Sequence, residues 1–283
     1  MDPASPERYN RGARFAAVAA VLRASLDGRD VLYAPADHDA IADHGGLASE
    51  FDLCIPGGPR ELLPPGWLEA PEGGGFLKIG VGILRKQGRD YHLFHQPQIL
   101  VAAQTAVAWR DDGARFVQTL PATDGWAYRL EVDLALRAPE MRMDWRLANT
   151  GTRAFTTRTY VHNFIRFGDH DVGPGYELSF PGPIAVTGAT AAQTVLERAI
   201  RFDARIPTWV NLEIAQQGAA GGSVCTVAHA GAGMSLLCST SLPCERVAVH
   251  ARAAYLSPEQ FVRIELAPGA EASWTRSWRI EAR

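Results

Sequence analysis

The sequence predicts an all-β protein built as one large antiparallel β-sandwich. Short segments alternate apolar and polar residues with a period of two, which is typical of strands with one buried face. The 27 glycines and 18 prolines separate these segments at intervals of about 8–12 residues, as in sandwiches and barrels. The sequence shows no strand–helix–strand rhythm, composition break or internal repeat. We therefore expect a single domain over residues 1–283.

The first half of the chain contains the clearest strand. Residues 16–26 alternate only weakly, and Asp27-Gly28 then predicts a hairpin turn before residues 31–33. Residues 128–137 have one apolar and one charged face, as expected of a half-buried strand. The apolar face consists of Tyr128, Leu130, Val132, Leu134 and Leu136.

The alternation resumes after a turn at residues 138–139 and continues to the C-terminus. Residues 141–147 repeat the pattern with methionine, tryptophan and leucine on one face. Residues 159–164 predict a strand, and only residues 191–200 indicate a short helix. The last predicted strand covers residues 274–280, and its inward face carries Trp274, Arg276, Trp278 and Ile280.

The charge balance argues against a dedicated nucleic-acid-binding protein, which normally carries a basic surplus. The chain has 28 Lys+Arg against 31 Asp+Glu, a net charge of -3. No apolar stretch approaches the roughly 20 residues that span a bilayer. The polar residues 1–8 also lack the apolar segment of a secretory signal. We therefore expect a cytoplasmic protein without a nucleic-acid or membrane partner, as a monomer or homodimer.

Several motifs for other chemistries can be set aside. The cysteines lack Cys-x-x-Cys spacing, so we interpret them as free thiols, with disulfides as the alternative; they are Cys54, Cys225, Cys238 and Cys244. The glycine-rich segments 73–75 and 80–82 lack the Lys-Ser/Thr of a phosphate loop. Residues 169–171 read Asp-His-Asp, but alternate strand residues face opposite ways, which favours a solvated loop over a metal site. We expect neither a metal nor a cofactor.

His162 is the residue with the strongest chemical signal. It stands between Tyr160 and Phe164 on one face of its predicted strand. The pKa of histidine lies nearest neutrality, so a histidine among aromatic residues on a sandwich face can act as a general acid or base. The alternative is a core histidine whose ring is satisfied by a backbone carbonyl.

The segment from Trp145 to Gly151, followed by residues 160–164, resembles the centre of the aldose 1-epimerase (galactose mutarotase-like) superfamily. In that family a strand ending in an Asn-Thr-type turn precedes a strand with a catalytic histidine beside aromatic residues. Residues 8–15 resemble the opening strands, and residues 266–271 resemble the turn before the last strand. The resemblance covers most of the chain and implies a large antiparallel β-supersandwich with a concave sugar-binding face.

The resemblance implies that His162 protonates the ring oxygen of a sugar while a C-terminal carboxylate removes the proton from the anomeric hydroxyl. Two carboxylates are candidates for this base: Glu245 lies near the family position but matches it only with a shift, and Glu259 is the other choice. Where the family has a second histidine, this chain offers Lys78 and Arg85. A lysine in that apolar strand either has a depressed pKa, neutralises a substrate carboxylate or an internal acid, or lies exposed.

Further candidates for substrate binding lie in segments where related chains carry sugar-contacting loops. Carboxylates suit sugar hydroxyls, and flat aromatic rings suit the C–H face of a sugar. His92 and His95 point to opposite faces of a strand, so only one of them can reach a common site. For the tryptophans, packing in the core is an equal alternative. The candidates are Glu50, Trp67, Glu69, Arg85, His95, Trp126 and Asn163, together with Lys78.

The sequence thus favours a protein that binds a mono- or oligosaccharide and has aldose 1-epimerase-like isomerase activity. Two alternatives stay open. A non-catalytic sugar-binding or regulatory domain would tolerate a missing base. A carbohydrate lyase or hydrolase on the same fold would use another acid–base pair, such as Lys78 with His162 or a tyrosine.

Overall fold

A computed structural model describes residues 12–35, 44–53, 63–91, 96–216 and 222–282. These residues form strands, turns and loops, with no helix among them, so the predicted all-β class is confirmed. The strands are β1 (Ser25–Leu26), β2 (Arg29–Asp30), β3 (Leu47–Phe51), β4 (Gly75–Lys78), β5 (Gly82–Arg85), β6 (Ile99–Ala102), β7 (Gln104–Arg110), β8 (Gly113–Thr123), β9 (Trp126–Arg137), β10 (Glu140–Asn149), β11 (Phe155–Asn163), β12 (Tyr176–Ser179), β13 (Ile184–Thr187), β14 (Gln193–Val195), β15 (Ala199–Phe202), β16 (Val210–Gln216), β17 (Ser223–His229), β18 (Met234–Thr240), β19 (Arg246–Arg252), β20 (Tyr255–Leu266) and β21 (Glu271–Ala282).

Two antiparallel sheets dominate the described part of the chain. The larger has ten strands in the order β14-β15-β12-β17-β18-β21-β10-β9-β8-β7, and the smaller has six in the order β13-β16-β19-β20-β11-β3. Strands β4, β5 and β6 form a separate three-stranded sheet, and β1 pairs with β2. Strands that pair in a sheet are mostly joined by hairpins or lie close together along the chain, which favours antiparallel pairing.

The main core lies between the ten-stranded and six-stranded sheets. It consists of the inward faces predicted from the alternation, including that of β9, where only Leu136 at the strand end is exposed. The rings of Trp145 and Trp274 stack at 5.6 Å, and Phe51 from the other sheet packs edge-on against Trp145. Burial of large aromatic and aliphatic side chains supplies the main driving force for this packing.

The predicted Asp27-Gly28 hairpin is confirmed, since it joins β1 to β2 and both residues have positive φ. The predicted helix over residues 191–200 is wrong. That stretch forms β14 and the start of β15, which pair with each other. Its alanines raised the helix signal, but pairing in a sheet outweighs so weak a local preference.

The β4–β5 hairpin turns at Gly80, which has a φ of +85°. A Cβ atom added there would lie 2.4 Å from the Cβ of Ala16. The turn can approach the N-terminal segment so closely only because residue 80 has no side chain.

The cysteines of the described residues, Cys225, Cys238 and Cys244, are free thiols, as predicted, and Cys54 lies outside the described residues. Within the described ranges, the structure has no helix long and apolar enough to cross a membrane.

Candidate active site on the six-stranded sheet

The candidate site lies on the face of the six-stranded sheet that points away from the core. Strand β11 separates the two environments, because Val161 packs in the core while His162 points to the opposite side. The residues of β11 that share the outer face are Arg158, Tyr160 and His162.

Strand register places a carboxylate next to His162. The pairs Thr159–Val262 and Ile165–Leu256 share one antiparallel register, which puts His162 directly opposite Glu259. The His162 Nε2 and Glu259 Oε1 atoms are 3.6 Å apart. The two residues are only 4% and 5% exposed, so both are largely removed from water. Ser257 donates a hydrogen bond of 3.2 Å to the same Glu259 oxygen.

Burial shifts the pKa values of this pair in opposite directions. It raises the pKa of Glu259 to about 8, although the charge of Arg14 acts to lower it. Burial also lowers the pKa of His162 well below its usual value, and the charges of Arg14 and His250 lower it further. These shifts favour a protonated Glu259 carboxyl group beside a neutral imidazole at neutral pH.

Aromatic rings surround the His162–Glu259 pair. Phe164 stacks on the imidazole at 3.9 Å between ring centroids, and Tyr255 meets it edge-on at 5.7 Å. Phe261 stacks on Tyr160 at 4.4 Å. These rings exclude water from the pair and offer flat apolar surfaces beside it.

Glu50 forms a buried charged network next to the pair. It lies opposite Tyr160 in the pairing of β3 with β11. Its Oε2 atom accepts hydrogen bonds from the Tyr160 hydroxyl and from Arg14 Nε. Its Oε1 atom is buried without a hydrogen-bond partner, although Lys78 Nζ lies 3.8 Å away. The network fixes Tyr160 and Arg14 beside His162.

Sequence reasoning missed the part of the site on β19. His250 and Arg252 share the outer face, because residues two apart on a strand point the same way. The rings of His250 and His162 are 5.8 Å apart, and His250 Nδ1 lies 2.6 Å from Asn211 Oδ1. Burial lowers the pKa of His250 to about 4. The alternation in residues 246–252 could have predicted a strand and its two faces. Alternation does not reveal, however, which strands are neighbours in a sheet.

The structure brings Glu259 to His162 and leaves Glu245 apart from it. Glu245 is exposed and forms an ion pair with Arg158, with Nε and Oε2 3.0 Å apart. Arg158 is four residues from His162 on β11, which corresponds to about 13 Å along a strand.

Lys78 is neither exposed nor directed at His162. It is fully buried at the end of β4, and its Nζ donates hydrogen bonds to the carbonyls of Phe51 and Asp52. One of the predicted roles of Lys78 was to neutralise an internal acid, and its contact with Glu50 agrees with that role. Burial acts to lower the pKa of Lys78, but Tyr91, Glu50 and Asp52 raise it above its usual value.

The predicted tryptophans are core residues. Trp67 is buried against Phe76 and Tyr91 in a separate apolar cluster, and Trp126 is buried under the guanidinium of Arg153. For both tryptophans the structure therefore agrees with the alternative interpretation, which was packing in the core.

The other candidates for substrate binding lie apart from His162 or outside the described residues. Glu69 is exposed in the turn before β4, and Arg85 is half-buried at the end of β5. Asn163 points into the interior, where its Oδ1 accepts a 2.9 Å hydrogen bond from Trp278 Nε1. A ligand on the outer face does not reach it there. His95 lies outside the described residues.

The Asp-His-Asp motif does not form a metal site. Asp171 forms ion pairs with Arg166 and Arg205 at 3.5 and 2.8 Å, as expected for a solvated loop. Across the described ranges, no group of three or more His, Cys, Asp or Glu side chains is arranged to hold a metal ion.

Solved structures show that the fold is that of galactose mutarotase-like proteins, as the sequence resemblance implied. A putative aldose 1-epimerase from Escherichia coli K12 superposes with a TM-score of 0.58 and 14% identity, covering 93% of each chain. A protein from Synechocystis gives 0.58 and 14%, covering 93% of this chain and 89% of that one. A galactose mutarotase-like protein from Clostridium acetobutylicum gives 0.55 and 11%, covering 93% and 90%. No protein-family model and no curated protein matches the sequence.

Proposed function

We propose that the protein is an aldose 1-epimerase-like isomerase that interconverts the anomers of a sugar at the His162–Glu259 pair. The observation that carries this proposal is a buried carboxyl group and a buried imidazole 3.6 Å apart, for which burial favours the proton-donating form of Glu259 and the proton-accepting form of His162. Anomer interconversion needs one group that donates a proton and one that accepts a proton. The E. coli structure, described as a putative aldose 1-epimerase, supports the proposal at the level of fold.

In the reaction that we propose, Glu259 gives its proton to the sugar ring oxygen while His162 takes the proton of the anomeric hydroxyl. The bond between the anomeric carbon and the ring oxygen breaks, which leaves an open-chain aldehyde. After rotation of the carbonyl, both protons return and the ring closes as the other anomer. These roles reverse the ones implied by the resemblance, because burial favours the protonated form of Glu259 and the neutral form of His162.

Two buried polar atoms of the site suit a sugar. His162 Nδ1 and Glu50 Oε1 have no hydrogen-bond partner in the structure. Buried polar groups are costly unless they are paired, so a ligand that brings hydroxyl groups would satisfy them. The surrounding rings of Phe164, Tyr255 and Phe261 would contact the C–H face of such a ligand.

The location of Lys78 disfavours the form of the lyase or hydrolase alternative in which Lys78 pairs with His162. Its ammonium group is held by two backbone carbonyls behind Glu50, and so does not form an acid–base pair with His162. The non-catalytic alternative differs from our proposal in one measurable way, because it predicts sugar binding without faster anomer interconversion. We place the activity in the cytoplasm, with a mono- or oligosaccharide as the ligand.

Exchange between the anomers of glucose, galactose and other aldoses, measured by NMR, tests the proposal. We expect His162→Asn to lower the enzyme-dependent rate by about 100-fold or more, because it removes the proton acceptor. The exposed His170→Asn serves as the matched control and should keep the wild-type rate. If the wild-type protein binds a sugar but does not accelerate anomer exchange, the result contradicts our proposal and supports the non-catalytic alternative.

A further inference from the structure

A buried arginine on β21 lacks an acidic partner. Arg276 is 3% exposed and points between the two large sheets. Its Nη2 atom donates hydrogen bonds to the carbonyls of Thr159 and Gln260, at 3.0 and 3.1 Å. No carboxylate in the described part of the chain forms an ion pair with it. Burial lowers its pKa to about 10, so the guanidinium is still charged at neutral pH.

Strand register aligns two hydroxyl groups with this guanidinium. Thr240 lies directly opposite Arg276 in the pairing of β18 with β21, and Ser223 lies opposite Thr240 in the pairing of β17 with β18. Cross-strand neighbours point to the same face, so the three side chains form a row toward the interior. Both hydroxyl oxygens are buried; that of Thr240 has no hydrogen-bond partner, and that of Ser223 lies against the Cys244 thiol.

The six-stranded sheet adds another unpaired donor on its inward face. The carbonyl of Gln260 accepts from Arg276, and the Nε2 atom of Gln260 is buried without a partner. An amide nitrogen can only donate hydrogen bonds. We call Arg276, Thr240, Ser223 and Gln260 the interior donor cluster.

The neighbouring thiol does not balance the charge of the cluster. Cys244 lies close enough to Arg276 and Ser223 to interact with both. Burial raises the pKa of this thiol, so it is neutral at physiological pH. A buried positive charge without a compensating negative charge is strongly unfavourable.

We propose that the interior donor cluster binds one chloride ion. A water molecule would satisfy the hydroxyls but would leave the guanidinium uncompensated, whereas an anion accepts from all the donors and supplies the missing charge. The space between packed sheets is only about 10 Å thick and filled with side chains, which favours a monatomic ion over a larger oxyanion.

Bound chloride would connect the interior to the candidate site. Arg276 holds the backbone of Thr159 on β11 and of Gln260 on β20, each next to a residue of the outer face. Those neighbours are Tyr160 and Glu259, so the ion would stabilise the packing of the two strands that carry the acid–base pair. The chloride site itself does not depend on the proposed reaction.

Thermal unfolding of the full chain in sodium chloride and in sodium gluconate, at equal ionic strength and pH, tests the chloride site. Gluconate is too large to enter the sandwich. We expect chloride to raise the Tm by about 2–5 °C over gluconate, and Arg276→Met to abolish this difference. As a control, Arg158→Met removes a buried arginine that has a carboxylate partner, Glu245. This variant should keep the difference in Tm between the two salts.

Two further measurements keep the proposal testable if Arg276→Met does not fold. Thr240→Val removes one donor with little change in volume and should reduce the chloride-dependent shift in Tm. Crystals grown in sodium bromide should show an anomalous scattering peak in contact with the guanidinium of Arg276. Equal Tm values in the two salts, an unchanged response in Thr240→Val, or water in place of the bromide peak would each overturn the proposal.

Discussion

At the scale of single residues, the main finding is that burial gives a carboxyl group and an imidazole complementary proton states. Glu259 alone in water would be ionised at pH 7, and its pKa of about 8 in the folded chain comes mainly from loss of solvent. His162 is neutral for the same reason. In the reaction that we propose, the roles of proton donor and proton acceptor are therefore set by how deeply the two residues lie in the sheet surface.

The proton state of the pair predicts a bell-shaped dependence of activity on pH. Activity should fall above about pH 8, as Glu259 loses its proton, and at a pH well below 6.5, as His162 gains one. The measurement is kcat/KM for anomer exchange, corrected for the uncatalysed rate, across this range. A rate that increases steadily up to pH 10 would contradict the protonated role of Glu259.

Glu259 should also make the stability of the protein dependent on pH. Its folded-state pKa of about 8 exceeds the usual value of 4.5, so between these pH values the unfolded chain releases a proton that the folded protein retains. Its contribution to the free energy of unfolding therefore falls as the pH rises through this window, by up to about 1.4 kcal/mol per pH unit.

Glu259→Gln removes this ionisation and should therefore flatten the curve of the free energy of unfolding against pH. In urea denaturation at pH 5 and pH 9, the variant should gain stability relative to wild type at the higher pH. Glu265→Gln, at an exposed position on the same face of this strand, should follow the wild-type curve. If Glu259→Gln also runs parallel to wild type, the carboxyl group is not buried in its neutral form.

At the scale of elements, period-two alternation predicted strands better than it predicted their partners. The pattern in β9, β10 and β21 identified the buried faces, because each strand has one face in the core and one in solvent. It failed at residues 191–200, where the strands have only three and four residues, β14 lies at the edge of its sheet, and local composition resembled a helix. Short strands depend on pairing, which a single sequence does not display.

The β4–β5 turn gives a prediction at this scale. Gly80→Ala should destabilise the protein by about 1–3 kcal/mol, because the new Cβ would collide with Ala16 in addition to the cost of a positive φ. Gly88→Ala is the matched control, since Gly88 also has a positive φ but no atom within 4 Å of the added Cβ. Urea denaturation should show the larger loss for Gly80→Ala, and equal losses would contradict the close packing at this turn.

At the scale of the whole molecule, the sequence was sufficient for the fold class and insufficient for identifying which residues surround His162. The order of motifs along the chain indicated the galactose mutarotase-like fold, which the solved structures confirm at 11–14% identity. The site assembles residues from the N-terminal segment, β3, β11, β19 and β20. Which side chains meet there depends on strand order in the six-stranded sheet.

The choice between two carboxylates illustrates this limit. Glu245 and Glu259 were equal candidates in the sequence, because counting from the C-terminal turn fitted neither. The register of β11 with β20 places Glu259 beside His162, whereas Glu245, just before β19, forms an ion pair with Arg158. The tryptophans were ambiguous for a related reason, since a large aromatic residue suits a core as well as a sugar site.

The most direct test of the account compares Glu259→Gln with Glu245→Gln in anomer exchange measured by NMR. The account predicts that Glu259→Gln lowers the enzyme-dependent rate by about 100-fold or more, while Glu245→Gln stays within about twofold of wild type. Circular dichroism would establish that both variants are folded. A wild-type rate in Glu259→Gln, or an equal loss in Glu245→Gln, would contradict the assignment of the acid–base pair.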